Sequence, residues 1–251
     1  MAEYVASLGT DVFLMANNHI VDRNAAGIDR TFRMYDQVRE THGISYTGVG
    51  HEPLILDVKG FKLALVNVTY GTNGLYDSRV NYMNEEITGS MMRKARESGA
   101  DFIIALPHWG LEYQLKHSSD QQKWANYLVE QGADVIVGGH PHVVQDTSHI
   151  KGVPVIYSMG NAVSNMSKEN TRLELAVALT FIKDINGSTR MLEPRLEFLW
   201  CTLPNMLINS YSTIRVREWE DRREEWINKS DYDNMIATRK RVKAATGIEA
   251  L

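Results

Sequence analysis

Short apolar runs of strand length alternate with segments whose apolar residues recur at helical spacing through most of the chain. The clearest amphipathic segment is 28–40, where Ile28, Phe32 and Tyr35 share one helical face. Further helices are predicted over residues 2–8, 85–98 and 120–131, with one or two more after residue 216. Strands are predicted over residues 12–16, 45–49, 54–58, 61–68, 101–106, 134–137, 153–158, 173–182 and 191–200. This alternation is typical of an α/β fold.

Glycine-containing turns separate several of these elements. Gly9 ends the first predicted helix. Lys59-Gly60 and Asn186-Gly187 each predict an antiparallel hairpin between the strands on either side. Residues 70–84 predict a long loop, and loops of that length often border a site. Because an α/β domain normally begins with a strand, a chain that starts inside a helix leads us to expect that a first unit is missing.

Composition and charge exclude some classes of function. The chain has 251 residues, of which 43% are hydrophobic and 23% charged, as is ordinary for a soluble globular protein. Its net charge of −4 lacks the excess of positive charge that nucleic-acid-binding proteins carry, so we expect no nucleic-acid partner. Cys201 is the single cysteine, which rules out an intrachain disulfide and suits a small core position.

Polar clusters follow four of the apolar runs. They are Asn17-Asn18-His19, Pro107-His108-Trp109-Gly110, His140-Pro141-His142 and Asn161. In α/β sheets, ligands bind beyond the carboxyl ends of the strands, where separate loops converge. A single histidine is more often a surface or core group than a ligand. Four histidines at strand ends favour a metal site formed by His19, His108, His140 and His142.

Local geometry refines the expected roles. Proline biases the residue before it away from helix, so the His140-Pro141-His142 segment should be extended and present both imidazoles on one side. Asn18 and His19 are adjacent and should point apart, one towards a metal and one towards substrate. Asn18 could instead cap a helix or turn.

Two acids are candidates with open alternatives. Glu112 could orient a histidine, bind the metal or be a solvated loop acid. Asp22 could orient His19 or cap a helix.

Three further residues have two possible roles each. Trp109 could form a wall of the site or pack in the core. Tyr113 and Arg172 could bind an anionic substrate or, as we favour, lie on the surface.

The segments MANNHIVD, LPHWGLEY, VGGHPHVVQ and IYSMGN, taken together and in this order, resemble the CapA-type capsule-assembly family. This family takes part in poly-gamma-glutamate synthesis and belongs to the calcineurin-like metallophosphatase superfamily. The resemblance covers roughly residues 9–161. It implies a two-sheet sandwich flanked by helices (α-β-β-α), a role in making or exporting an anionic polymer, and membrane-bound capsule synthesis proteins as partners. Full-length members are often membrane-anchored or at the cell surface.

The resemblance also implies residue roles. Asn18, His108, His140 and His142 would bind one or two divalent ions, of manganese, iron or zinc. His19 would approach the leaving group, with Asp22 and Glu112 as further catalytic candidates. The hypothesis for mechanism is that a metal-bound water attacks a phosphoester or amide carbonyl and that His19 protonates the leaving group.

The sequence departs from the superfamily at its start. Two acidic ligands of the superfamily should precede Asn18, and seventeen residues stand before it without a matching motif. Neutral ligands compensate little of the charge of two divalent ions, so a single weakly held ion is expected. Three readings remain open: a capsule-pathway hydrolase or transferase, a non-catalytic polymer-binding component, and an unrelated phosphoesterase.

We expect a family-like domain over residues 1–200 and a charged helical extension over 201–251, anchored by Trp219 and Trp226.

Overall fold

The computed structural model describes residues 1–250, which form two compact units. The first unit consists of Met1–Trp109 and Tyr127–Ile136. The second consists of Gly110–Asn126 and the chain from Val137 onwards. No helix within the described residues is both long and apolar enough to cross a bilayer.

The first unit contains most of the elements predicted for the first half of the chain. Its elements are α1 (Ala2–Ser7), β1 (Val12–Leu14), α2 (Asn24–His42), β2 (Ser45–Thr47), β3 (Leu54–Val58), β4 (Phe61–Thr69), α3 (Glu85–Glu97) and β5 (Phe102–His108). Helix α4 (Ser119–Glu130) and strand β6 (Val135–Val137) have residues in both units. Gly9, with a φ of 96°, follows the end of α1, and Gly43, with a φ of 69°, caps α2.

The sheet of the first unit is mixed. β3 and β4 pair antiparallel across Lys59 and Gly60, whose φ values of 51° and 84° are those of a tight hairpin turn. β4 and β5 run parallel over seven paired positions, and β5 continues the parallel pairing with β6. β1 and β2 form a separate parallel pair. The predicted α/β class is confirmed, with a mixed sheet and helices.

The second unit is largely antiparallel. Its further elements are β7 (Thr147–Ile150), β8 (Val153–Ile156), β9 (Leu173–Ala178), β10 (Phe181–Lys183), β11 (Thr189–Met191), β12 (Arg195–Thr202), β13 (Ser212–Arg215), α5 (Val216–Trp219), a 3-10 helix (Arg223–Glu225) and α6 (Lys229–Thr246). β12 lies between β9 and β13, and both pairings are antiparallel. β7 and β8 form a hairpin.

Two predicted strands are each divided in the structure. Residues 173–182 form β9 and β10, and residues 191–200 contribute to β11 and β12. The turn at Asn186-Gly187 connects β10 and β11, which pair antiparallel, so the predicted hairpin is present. The strands on either side of it, β9 and β12, also pair antiparallel. The predicted domain boundary after residue 200 falls inside β12. The predicted division into two domains and the predicted two-sheet sandwich remain predictions.

Trp226 is buried against aromatic residues of the C-terminal segment, and anchoring of this segment onto the rest of the protein by Trp219 and Trp226 remains a prediction. Its side chain is 3% exposed and meets Trp219 and Tyr232 edge-on, with ring centroids 6.2 and 5.9 Å away. Edge-to-face aromatic pairs add to the free energy gained from burying the rings. The charged run after residue 216 therefore packs through its aromatic residues while its acids and arginines pair at the surface.

Candidate functional site

Asn67 on β4 ties together the two chain segments that carry the first group of candidates. Its Oδ1 accepts a hydrogen bond from the backbone N–H of Ala16 at 2.9 Å. Its Nδ2 donates to the backbone oxygen of Leu106 at 2.8 Å. The side chain is 2% exposed, so both bonds are shielded from water. Asn67 thus fixes the backbone two residues before Asn18 and two residues before His108.

Five side chains of the first unit form a continuous series of close polar contacts. Nε2 of His108 lies 3.0 Å from Oδ1 of Asn18. Nδ2 of Asn18 donates to Oδ1 of Asn73 at 3.3 Å, and Nδ2 of Asn73 lies 3.5 Å from Nδ1 of His19. Nδ1 of His19 is 2.9 Å from a carboxylate oxygen of Asp22. The structure therefore brings together four residues named from the sequence, namely Asn18, His19, Asp22 and His108.

The proton of neutral His19 belongs on Nδ1. A carboxylate only accepts hydrogen bonds, so the short contact with Asp22 requires an N–H at Nδ1. Nε2 is then the ring atom that can take up and release a proton. The backbone N–H of His19 donates to Oδ1 of Asn17 at 2.9 Å, which fixes the backbone at this residue.

Asn18 and His19 face different surroundings, as expected for adjacent residues. Asn18 is 5% exposed, whereas the His19 side chain is 64% exposed. Asn18 therefore contacts groups inside the unit, and His19 presents its ring to solvent. Asp22 precedes the helix α2 without capping it, because the cap residue is Arg23. The geometry supports the alternative in which Asp22 orients His19. The catalytic role of Asp22 remains a prediction.

The second unit carries the other candidates. Nδ1 of His142 lies 3.0 Å from Oδ1 of Asn161, whose Nδ2 donates to the backbone oxygen of His142 at 3.2 Å. The amide oxygen of Asn161 fixes the His142 proton on Nδ1 and leaves a lone pair on Nε2. Glu112 places a carboxylate oxygen 3.9 Å from this Nε2. That is beyond hydrogen-bond range, so Glu112 does not orient His142 directly.

His140 and His142 lie close together by a route that differs from the prediction. The predicted extended conformation is wrong, because φ is 103° at His140 and 62° at His142. Two non-glycine residues in the left-handed region are strained, and such strain concentrates at functional sites. The two ring centroids are nevertheless 6.0 Å apart.

Tyr113 packs on His142 in the second unit. Its ring lies 5.9 Å from the His142 ring with nearly parallel planes, and its backbone N–H donates to the Pro141 oxygen at 2.8 Å. Burial and the neighbouring Glu112 carboxylate raise the pKa of Tyr113, which keeps its hydroxyl protonated. Tyr113 therefore supports the ring of one candidate ligand.

Other residues singled out from the sequence have structural roles. Arg172 is mostly buried rather than at the surface, and it forms a bidentate ion pair with Asp231 at 2.6 and 2.7 Å and stacks on Trp200. Trp109 is 1% exposed, which favours the packing alternative. Cys201 is fully buried, as predicted.

The donor atoms fit a weakly held cation rather than a closed metal site. Oδ1 of Asn18 and Nε2 of His108 are 3.0 Å apart, close enough to share one ion, since metal–ligand bonds are about 2.0–2.2 Å long. To do so, His108 must move its proton to Nδ1. Within residues 1–250, no three His, Cys, Asp or Glu side chains lie close enough to hold a metal. Water or substrate would have to complete the coordination.

Asn67 and Asn73 were not singled out from the sequence. Asparagine at a single position carries no signature, because it is equally common in turns and caps. Asn73 lies in the predicted loop 70–84, so the loop itself was the available signal. Asn67 had no comparable signal, since it lies inside an otherwise apolar strand.

Residues 1–166 match the sequence model of the family described as bacterial capsule synthesis protein PGA_cap. The chain belongs to this family. The capsule biosynthesis protein CapA of Bacillus anthracis is 32% identical over 184 residues, covering 67% of this chain and 43% of that protein. The PGA biosynthesis protein CapA of Bacillus subtilis is 28% identical over 165 residues, covering 62% and 43%. The chain therefore spans less than half the length of these curated relatives.

Solved structures resemble this PGA_cap chain only loosely. The sulfate thiohydrolase SoxB of Thermus thermophilus aligns over 96% of this chain and 38% of its own, with 14% identity and a TM-score of 0.48. A 5'-nucleotidase precursor of the same organism covers 97% and 45%, with 13% identity and a TM-score of 0.41. Likenesses of this degree do not establish a shared activity.

Proposed function

We propose that this PGA_cap chain is part of a metal-dependent hydrolase of capsule synthesis that cleaves an amide linkage in an anionic polymer. The observation that carries the proposal is the series of close polar contacts that connects Asp22 and His19 to Asn18 and His108. One end is a proton-transfer pair and the other a cation-binding pair. Hydrolysis needs both functions in one place.

The cation-binding end consists of Asn18 and His108. When bound there, a divalent ion supplies electrophilic polarisation of the scissile group. Asn73 accepts a hydrogen bond from Asn18, and its Nδ2 lies 3.5 Å from Nδ1 of His19, so its side chain lies between the two ends. In the second unit, His140 and His142 are further proposed ligands, and Glu112 is the acid that would offset positive charge at Nε2 of His142.

The proton-transfer end consists of His19 and Asp22. Asp22 holds Nδ1–H, so Nε2 of His19 delivers a proton to the leaving nitrogen. The carboxylate stabilises the imidazolium before transfer. The exposure of His19 lets a large polymer reach this atom, which a closed cleft would prevent.

A non-catalytic polymer-binding component is the second candidate function. Its support is the neutral character of Asn18 and His108, since a divalent ion held by neutral ligands alone is bound weakly. Phosphoester hydrolysis by the same residues is the third, with a phosphodiester as substrate. Partners among membrane-bound capsule synthesis proteins stay a prediction.

The test compares His19→Ala with wild type on γ-linked polyglutamate and on a generic phosphodiester, in the presence of Mn²⁺. His42→Ala is the matched control, because His42 is an exposed histidine in the last turn of α2. The proposal expects Mn²⁺-dependent cleavage of polyglutamate that His19→Ala abolishes and His42→Ala retains. Polymer binding without cleavage favours the non-catalytic component, and cleavage of the phosphodiester alone favours the phosphoesterase.

A further inference from the structure

A cavity of about 290 Å³ opens beside His19, entirely within the first unit. One wall is the chain after β1, including Asn17, His19 and Asp22. The opposite wall is a face of α2. The cavity therefore lies next to the exposed ring whose Nε2 is the proposed proton donor.

Two arginines border the α2 side of the cavity. Gly27 and Arg30 are three residues apart on one face of α2, and Arg23, which caps the helix, also lines the cavity. Thr31 and Tyr35 continue this face along the cavity. The two guanidinium groups thus border the same space.

Neither cavity arginine has a partner among the described residues 1–250. Other arginines of this unit are paired, as Arg39 is with Asp36 and Arg79 with Asp29 and Asp77. The side chains of Arg23 and Arg30 form no hydrogen bond or ion pair within residues 1–250. Two unpaired cations bordering one cavity favour an anionic occupant.

The charge of the cavity supports the same conclusion. Asp22 is its one acidic lining residue, and this carboxylate is already engaged by His19 at 2.9 Å. Arg23 and Arg30 together exceed it by one positive charge. The cavity is therefore cationic.

Gly27 makes room for Arg23. A β-carbon at position 27 would lie 2.4 Å from Cβ of Arg23, far inside contact distance. Any side chain at this position would displace Arg23 from its place at the start of α2. Gly27→Ala is therefore expected to move this guanidinium while leaving its charge in the protein.

We infer that this cavity binds carboxylates of a γ-glutamyl polymer and that Arg23 and Arg30 select for them. The assignment to this polymer rests on the function proposed above, whereas the cationic cavity stands on its own. Guanidinium groups recognise carboxylate and phosphate alike, so the shared chemistry is an oxyanion. A repeating polycarboxylate engages both arginines and places one of its linkages beside Nε2 of His19.

The test is titration calorimetry with a short γ-linked glutamate oligomer, in a chelator-containing buffer so that no metal contributes. Inorganic phosphate and a neutral γ-linked isoglutamine oligomer, whose α-carboxylates are replaced by amides, are the comparison ligands. Arg23→Gln and Arg30→Gln should each weaken binding of the glutamate oligomer roughly fivefold, as expected for removing one exposed charge contact. Arg33→Gln is the matched control, because Arg33 is exposed on α2 and does not line the cavity.

The expected result is tight binding of the glutamate oligomer alone, weakened by Arg23→Gln, Arg30→Gln and Gly27→Ala and unchanged in Arg33→Gln. Equal loss in Arg33→Gln, or binding insensitive to both cavity arginines, overturns the inference. Arginine-dependent binding of phosphate without the oligomer overturns the carboxylate assignment. Arginine-dependent binding without His19-dependent cleavage leaves the inference standing and removes the hydrolytic function.

Discussion

Nδ1 of His19 lies 2.9 Å from a carboxylate oxygen of Asp22, three residues further along the chain, while the two side chains remain 64% and 48% exposed. A pair this exposed contributes little to folding. Its geometry is that of an oriented proton donor, because Asp22 holds Nδ1–H and leaves Nε2 as the ring atom that can exchange a proton. The contact therefore matters for the chemistry of the imidazole more than for stability.

Asp22→Asn should lower turnover of the polymer about tenfold, because the amide no longer stabilises the imidazolium form of His19. The measurement is kcat with the polymer as substrate. Asp11→Asn, an exposed acid outside the series, should leave kcat unchanged.

Asn67→Ala should lower the free energy of unfolding by about 3 kcal/mol, because two buried backbone groups, at Ala16 and Leu106, lose their partner. Chemical denaturation monitored by circular dichroism measures the change. Asn186→Ala, in an exposed turn, is the control and should shift the midpoint little. Equal stability of the two variants would refute the proposal that the hydrogen bonds of Asn67 stabilise the fold.

Asp231→Ala should cost about 3–5 kcal/mol of stability, because it leaves the guanidinium of Arg172 charged and unpaired in a mostly buried position. Replacing both residues with apolar ones of similar size should restore much of the loss. Thermal or chemical unfolding compares these variants with Asp221→Ala, an exposed acid. A double variant as unstable as the single one would contradict this explanation.

Glu174 makes stability depend on pH in the second unit. Burial raises the pKa of its carboxyl from 4.5 to about 7. The folded protein therefore binds this proton more tightly than the unfolded chain does, so the contribution is present at acidic pH and is lost as pH rises towards and above 7. Between pH 5 and 8 the loss should be about 2 kcal/mol.

Glu174→Gln should remove this part of the pH dependence, because the amide does not titrate. The measurement is the free energy of unfolding at pH 5 and pH 8 for both proteins. Glu193→Gln, on an exposed acid beside His149, is the control. An unchanged slope in Glu174→Gln would show that burial of this carboxyl does not set the dependence.

Periodic elements and turns could be predicted from the sequence. Helix α2 follows its apolar spacing, and the β3–β4 hairpin follows Lys59-Gly60, because each depends on residues close in the chain. Strand β7 was missed because its polar run Thr147–Ile150 becomes a strand only by pairing with β8. Propensity does not encode such pairing.

In the candidate site, too, some features could be predicted from the sequence and others could not. Histidines at strand ends could be predicted, since parallel strands place their ends predictably. Neutral side chains that contact residues distant in sequence could not, and Asn73 joins His19 across 54 positions. The left-handed backbone of His140 and His142 was missed because proline restricts, but does not determine, the residue before it.

The most direct measurement is the dissociation constant of Mn²⁺ for wild type, Asn18→Ala and His108→Ala, with His42→Ala as control. If Asn18 and His108 form the cation-binding end of the series, each substitution should weaken Mn²⁺ binding about tenfold or more, while His42→Ala leaves it unchanged. Equal Mn²⁺ affinity in all four proteins, or no Mn²⁺ bound by wild type, would contradict a metal-dependent role for these residues.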